Sequence, residues 1–172
     1  REASFPNSTK IGENVEINCD TFILGENCYI GNNVRINCKS FISGDYLYLA
    51  DGVEVGRGGS YGTNSNVLIG DNVGVFESTV INPSESVTIG NNTGIGSEVM
   101  IWTHGAWLDI FDGFPASFGP VVIEDNVAIE KHFRLDEKEK SADYDFSLTP
   151  KMFKDLKKAM VDISYSLQKK NM

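Results

Sequence analysis

One seven-residue pattern recurs six times and constrains the fold of this chain more than any other feature. It reads aliphatic, usually Gly, acid or amide, usually Asn, β-branched residue, any residue, aliphatic. The copies begin at Ile11, Ile30, Leu49, Ile69, Ile89 and Ile123, spaced 19, 19, 20, 20 and 34 residues apart. A finer period of six runs through them, as in Ile11, Ile17 and Ile23, then Ile30, Ile36 and Ile42. An aliphatic every sixth residue fits neither a 3.6-residue helix nor one long alternating strand. It fits a coil of three short strands per turn, each placing one aliphatic inward. Gly, Asn and Asp mark the corners because they tolerate the left-handed backbone that tight corners need. Successive turns then stack as parallel strands about 4.8 Å apart over a column of Ile and Val.

Two excursions interrupt the coils. Residues 56–66 are glycine-rich but lack the lysine and the following helix of a phosphate-binding loop, so they read as a corner loop. Residues 105–120 explain the 34-residue spacing. They carry Trp107, Phe111, Phe114 and Phe118 together with Asp109 and Asp112. A loop of that length with no pattern of its own is usually functional or disordered, and the aromatics argue against disorder. Beyond Glu130 the repeat stops and 131–145 is highly charged. Thr149 and Pro150 form a helix start. Phe153, Leu156, Met160, Ile163 and Leu167 then give the apolar stripe of an amphipathic helix to about Gln168. That stripe is suited to cap the open end of the coil or to pack on another subunit. The expected organisation is a coil domain over 1–130 with a protruding loop at 105–120. A charged linker and C-terminal helix follow over 131–172.

A formal net charge of −9 argues against a nucleic-acid binder, which needs a basic face to displace counterions. No apolar run approaches the roughly 18 residues of a membrane span. The chain begins at Arg1 rather than Met, so the lack of a targeting signal carries little weight. Cys19, Cys28 and Cys38 do not make a disulfide framework, and a cytoplasmic location is expected. Cys19 and Cys38 each follow Ile-Asn, so they should stack in successive turns. No histidine near them completes a metal ligand set, and no metal is expected.

The repeat breaks at Trp102-Thr103-His104-Gly105, the root of the aromatic loop. An imidazole exchanges a proton near neutral pH, which suits activation of a hydroxyl or amine nucleophile. The second histidine, His132, lies in the charged segment without such a context.

Over roughly 11–130 the repeat resembles the hexapeptide-repeat family, whose members form left-handed parallel β-helices. The left hand comes from the resemblance, since the general rule for parallel crossovers gives the other. In the sugar and xenobiotic acyltransferases of that family, a histidine before an extended loop acts as general base. A segment like Pro-Val-x-Ile-Gly-Asp-Asn-Val-Trp-Ile-Gly follows the loop. Thr103-His104, the loop and the run PVVIEDNVAIE at 120–130 take those places here. Glu124, Ala128 and Glu130 stand where that pattern has Gly, Trp and Gly, and no further coils follow.

The resemblance implies that His104 deprotonates an acceptor as it attacks the thioester of acetyl-CoA or another acyl-CoA. Backbone N–H groups would hold the oxyanion. Trp102 and Trp107 would stack on a sugar-like acceptor and Asp109 and Asp112 would bind its hydroxyls. It also implies a homotrimer. The alternative is a non-catalytic β-helix serving as an assembly or binding module. A zinc carbonic anhydrase on the same scaffold needs three histidine ligands, and the chain has two histidines.

Overall fold

The computed structural model describes residues 1–57, 64–105, 111, 117–129, 151 and 154. The chain divides into two compact units, Arg1–Glu130 and Lys131–Met172. In the first unit short strands enter three parallel sheets in strict rotation, so the chain winds as a three-sided coil. Sheet 1 holds Glu2–Ser4, Thr21–Ile23, Ser40–Ser43, Asn66–Ile69, Val87–Ile89 and Val121–Ile123. Sheet 2 holds Lys10–Ile11, Tyr29–Ile30, Tyr48–Leu49, Gly74–Val75, Gly94–Ile95 and Ala128–Ile129. Sheet 3 holds Glu16–Asn18, Arg35–Asn37, Glu54–Val55, Val80–Asn82 and Met100–Trp102. The all-β parallel stacking expected from the sixfold period is what the unit shows.

Strands turn aliphatic or aromatic side chains to the axis, but the sixfold series misplaces two of them. Ile23 and Ile42 face outward, because on sheet 1 the buried residues are their neighbours Phe22 and Phe41. Sheet 2 stacks Ile30, Leu49, Val75 and Ile95, all fully buried. Sheet 3 stacks Ile36, Val55 and Ile81. Sheet 1 sets Phe22 against Phe41, ring centroids 5.7 Å apart, then continues through Val67 and Val87. Burial of each such side chain contributes about 1.5–3 kcal/mol. Two threonines interrupt the aliphatic columns and remain satisfied: Thr79 Oγ1 donates to the Gly96 carbonyl and Thr93 Oγ1 to the Glu124 carbonyl.

The repeat copies do not all fall on one face. Ile11, Ile30 and Leu49 stand in sheet 2, but Ile69, Ile89 and Ile123 stand in sheet 1. The next residue above Leu49 is Val75, and the partner of Ile69 is Ser43. All three faces use the same aliphatic-and-corner grammar. The insertion at 56–65 therefore shifts the phase by one face while leaving an apparent spacing of 20.

The corner from sheet 1 to sheet 2 explains the Gly-Asx-Asn motif. Each Asx side chain accepts from the backbone one coil earlier: Glu26 N–H to Asp45 Oδ1 at 2.7 Å, Asp45 N–H to Asp71 Oδ1 at 2.8 Å, Asp71 N–H to Asn91 Oδ1 at 2.7 Å. The preceding glycine leaves room for that side chain, since a Cβ on Gly44 would collide with Asp71 Oδ1. The residue after the Asx takes the left-handed conformation, with φ near +56° at Asn72 and +55° at Asn92.

Among the described residues no helix is long and apolar enough to cross a membrane. Of the C-terminal helix expected from Thr149, only Lys151 and Lys154 are described, both with helical backbone, and the rest lies outside the described residues.

Candidate functional site

Both excursions leave the coil at the same corner, the one from sheet 3 to sheet 1. The first departs at Gly56, whose φ of +103° and approach to the Asn37 carbonyl exclude a side chain. The second departs two coils on, where Thr103 follows the last strand of sheet 3. His104–Gly105 then pairs antiparallel with Ser117–Phe118, which closes the base of the aromatic loop.

That small ribbon holds the imidazole among aromatic rings. The Phe118 ring stacks on His104 with centroids 5.6 Å apart at 26°, and Trp102 meets it edge-on at 5.5 Å and 80°. Trp102, Thr103, His104, Ser117, Phe118, Gly119, Pro120 and Val121 line a cleft of about 320 Å³. Trp102 and Phe118 keep 42% and 52% of their surface open to it and to solvent, enough for a ligand ring to stack.

Beneath the cleft lies Asn82, fully buried although its side chain leaves the outer face of sheet 3. Its Oδ1 stands 3.1 Å from His104 Nδ1, and its Nδ2 donates to the Arg57 carbonyl at the root of the other excursion. Thr103, also buried, donates through Oγ1 to the Asn82 carbonyl at 2.9 Å and accepts from Glu85 N–H at 2.9 Å. The root of the loop is therefore pinned on both sides of the histidine.

The backbone N–H groups around the cleft are partly committed. Gly119 N–H donates to the Thr103 carbonyl at 2.9 Å, Val121 N–H to the Ser86 carbonyl at 3.0 Å and Thr103 N–H to the Asn82 carbonyl at 3.3 Å. An oxyanion formed here needs another donor.

Of the residues singled out by sequence, Trp102 and His104 share this cleft. Trp107, Asp109 and Asp112 lie outside the described residues, as does His132. Asn82 was missed. Its signal is the Ile-Asn step that recurs at Ile17-Asn18, Ile36-Asn37 and Ile81-Asn82. That step builds one column along sheet 3, in which Asn82 is paired with Trp102.

A second depression of about 330 Å³ lies lower on sheet 3, lined by Glu16, Arg35, Glu54 and Arg57 among others. Its charges face one another, with Arg35 3.8 Å from Glu16 and 4.0 Å from Glu54, and Arg57 3.8 Å from Glu54. Such open pairs contribute little, and they present no group poised for proton transfer. Cys19 and Cys38 do stack, with sulfurs 3.6 Å apart and both thiols free. The hydrogen bond between them lowers the Cys19 thiol and, with burial, raises that of Cys38. Among the described residues no group of three or more His, Cys, Asp or Glu side chains is arranged to hold a metal.

Fold and site together define a parallel coil with one histidine-bearing cleft at an interrupted corner. The family model that matches the chain is that of the NeuB family, of sialic acid synthase type, over residues 123–172. No curated protein and no solved structure matches.

This match overturns the resemblance to the hexapeptide-repeat acyltransferases. An aliphatic every sixth residue with Gly-Asx corners is what the stacking of any such coil demands, so it does not carry family membership. The run at 120–130, on which that resemblance leaned, overlaps the stretch that matches NeuB from Ile123 onward. Glu124, Ala128 and Glu130, the departures from the acyltransferase pattern, all fall inside it.

Proposed function

We propose that this chain transfers an acyl group from acetyl-CoA, or another acyl-CoA, to a hydroxyl or amine of a sugar-like acceptor. In this reading His104 is the general base. The observation that carries it is an imidazole with one ring nitrogen bonded to a buried amide, set between Trp102 and Phe118 in a cleft sized for part of a small molecule. A base held at the wall of a stacking cleft can take the proton of a bound hydroxyl as it attacks a thioester. Trp107, Asp109 and Asp112 complete the acceptor site in this proposal. The NeuB match directs the acceptor screen first to amino sugars and sugar acids.

The reading includes a left-handed coil, a cytoplasmic setting and a homotrimer. An outward column on sheet 1, apolar but for Thr88, supports the assembly: Ile23, Ile42, Leu68, Thr88 and Val122 share one register, with Leu68 51% and Val122 60% exposed. A second reading, a non-catalytic binding module, is favoured by the engaged N–H groups of Gly119, Val121 and Thr103.

A thermal shift with acetyl-CoA and free CoA, on wild type and His104→Ala, separates the two. Ligand at a hundred times its Kd stabilises the fold by about 2.7 kcal/mol. The expected result is a shift in both proteins, transfer only in wild type, and a mass three times that of the 18.9 kDa chain in light scattering. Loss of the base lowers transfer by about 10²- to 10⁴-fold. No shift at millimolar ligand would leave the binding module as the function.

A further inference from the structure

We infer that Asn82 is a positioning residue that fixes the tautomer of His104, placing the proton on Nδ1 and leaving Nε2 as the basic nitrogen. The inference gives the proposed acyl transfer its reacting atom, but it stands on hydrogen-bond geometry and is tested without catalysis.

The orientation of the Asn82 amide is set by two groups that each have one role. The Arg57 carbonyl can only accept, so the amide atom facing it is Nδ2. Ser84 N–H can only donate, and at 3.2 Å it faces Oδ1. Ser84 Oγ, 2.9 Å from the same oxygen, donates to it as well. A flipped amide would set an NH2 against an N–H and an oxygen against a carbonyl, inside a residue with no exposed surface. The atom presented to His104 is therefore an acceptor. Nδ1 stands 3.1 Å from it and must carry hydrogen for the contact to be a bond.

A neutral imidazole with hydrogen on Nδ1 has its lone pair on Nε2, across the ring from Asn82. Free in water, neutral histidine prefers the opposite tautomer, so the preference here is imposed. The three contacts lie 25, 2 and 22 residues from Asn82 in sequence, and stacking of the coils brings them to one point. Through Asn82 the root of the glycine-rich excursion holds the ring at the root of the aromatic one.

The test is long-range ¹H–¹⁵N correlation of the imidazole at a pH where the ring is neutral. With two histidines in the chain, a His132→Gln variant assigns the signals. Wild type is expected to show the Nδ1–H pattern for His104, and Asn82→Ala to shift the population toward Nε2–H. An Nε2–H majority in wild type overturns the inference, and that measurement does not depend on Asn82→Ala folding. An unchanged Nδ1–H pattern in folded Asn82→Ala overturns it too, because another group would then hold the proton. If wild type transfers acyl groups, Asn82→Ala should lower kcat about tenfold with KM held. If wild type shows the Nδ1–H tautomer and no transfer, only the acyl-transfer reading fails.

Discussion

The corner joining sheet 1 to sheet 2 and the corner joining sheet 3 to sheet 1 differ in what holds them. At the first, one bond is repeated coil after coil, from backbone N–H to the Asx of the next turn. Asn27, Asn72, Asn92 and Asn126 there share a φ between 55° and 62°. At the other, the bonds run backbone to backbone, Asp20 N–H to the Lys39 carbonyl and Lys39 N–H to the Ser65 carbonyl. Side-chain bonds at that corner change from coil to coil, and Gly56 is its one residue of positive φ among those described. A corner built from one repeated geometry accepts no extra residue. A corner without one has room for two excursions, and the site lies there.

The largest effect should come from forcing an excursion where the molecule has none. Two glycines inserted between Asp71 and Asn72 separate the Asn72 N–H from the Asp45 carbonyl and remove Asp71 Oδ1 from the Asp45 N–H. At about 0.5–1.5 kcal/mol per bond, with register lost on both sides, the cost is about 2–4 kcal/mol. The same insertion between Lys39 and Ser40 separates only the weaker Ser40 N–H bond to the Ser65 carbonyl, at 3.3 Å, and with the loop extension should cost about 1–2 kcal/mol. Urea midpoints of the two variants measure the difference, and equal losses would remove the distinction between the corners.

A smaller effect sharpens the account of the ladder. Gly44→Ala drives a methyl into Asp71 Oδ1 and should cost about 1–3 kcal/mol. Gly94→Ala adds a methyl that meets nothing within 4 Å, and should be neutral or slightly stabilising. Combining Gly44→Ala with Asp71→Ala removes the clash along with the acceptor, so the double variant should lose less than the sum of the singles. Additive losses in that cycle would mean that the glycine is there for another reason.

The same contrast explains what the sequence discloses. Regular corners repeat, so the sixfold period, the three strands per turn and the stacking of Cys19 on Cys38 are legible from Ile, Asn and Gly alone. The period cannot say which face a strand occupies, because Leu49 in sheet 2 and Ile69 in sheet 1 present the same residues to the core. His104 is visible as the place where the repeat breaks. Asn82 is not, because its role depends on Arg57 and His104, which only the coil stacking brings to it. Family membership is not legible for the opposite reason: the pattern follows from the physics of the coil and so is no signature of one family.

The corner from sheet 2 to sheet 3 offers the finest test, because its ladder changes partway up. Lower coils use Asx oxygens for backbone N–H groups, Asn32 for Glu13 and Asp51 for Asn32. One coil above Asp51, Glu77 instead accepts from Ser97 Oγ at 2.8 Å. Its carboxyl is held below the ordinary value, first by its own backbone N–H and then by the Ser97 hydroxyl, against repulsion from Asp51. A carboxyl whose folded value is depressed adds stability that is present above the ordinary carboxylate range. That stability is lost as the pH falls through the lower, folded-state value. The group is fully exposed, so the effect on stability should be slight and the titration itself is the better readout. Carbon-detected NMR of the Glu77 carboxyl should place its midpoint below that of a model glutamate. Ser97→Ala should return it only partway, because the larger cause lies in the backbone. A full return in Ser97→Ala would assign the depression to the hydroxyl alone. The side-chain ladder, rather than the turn geometry, would then be what holds that corner.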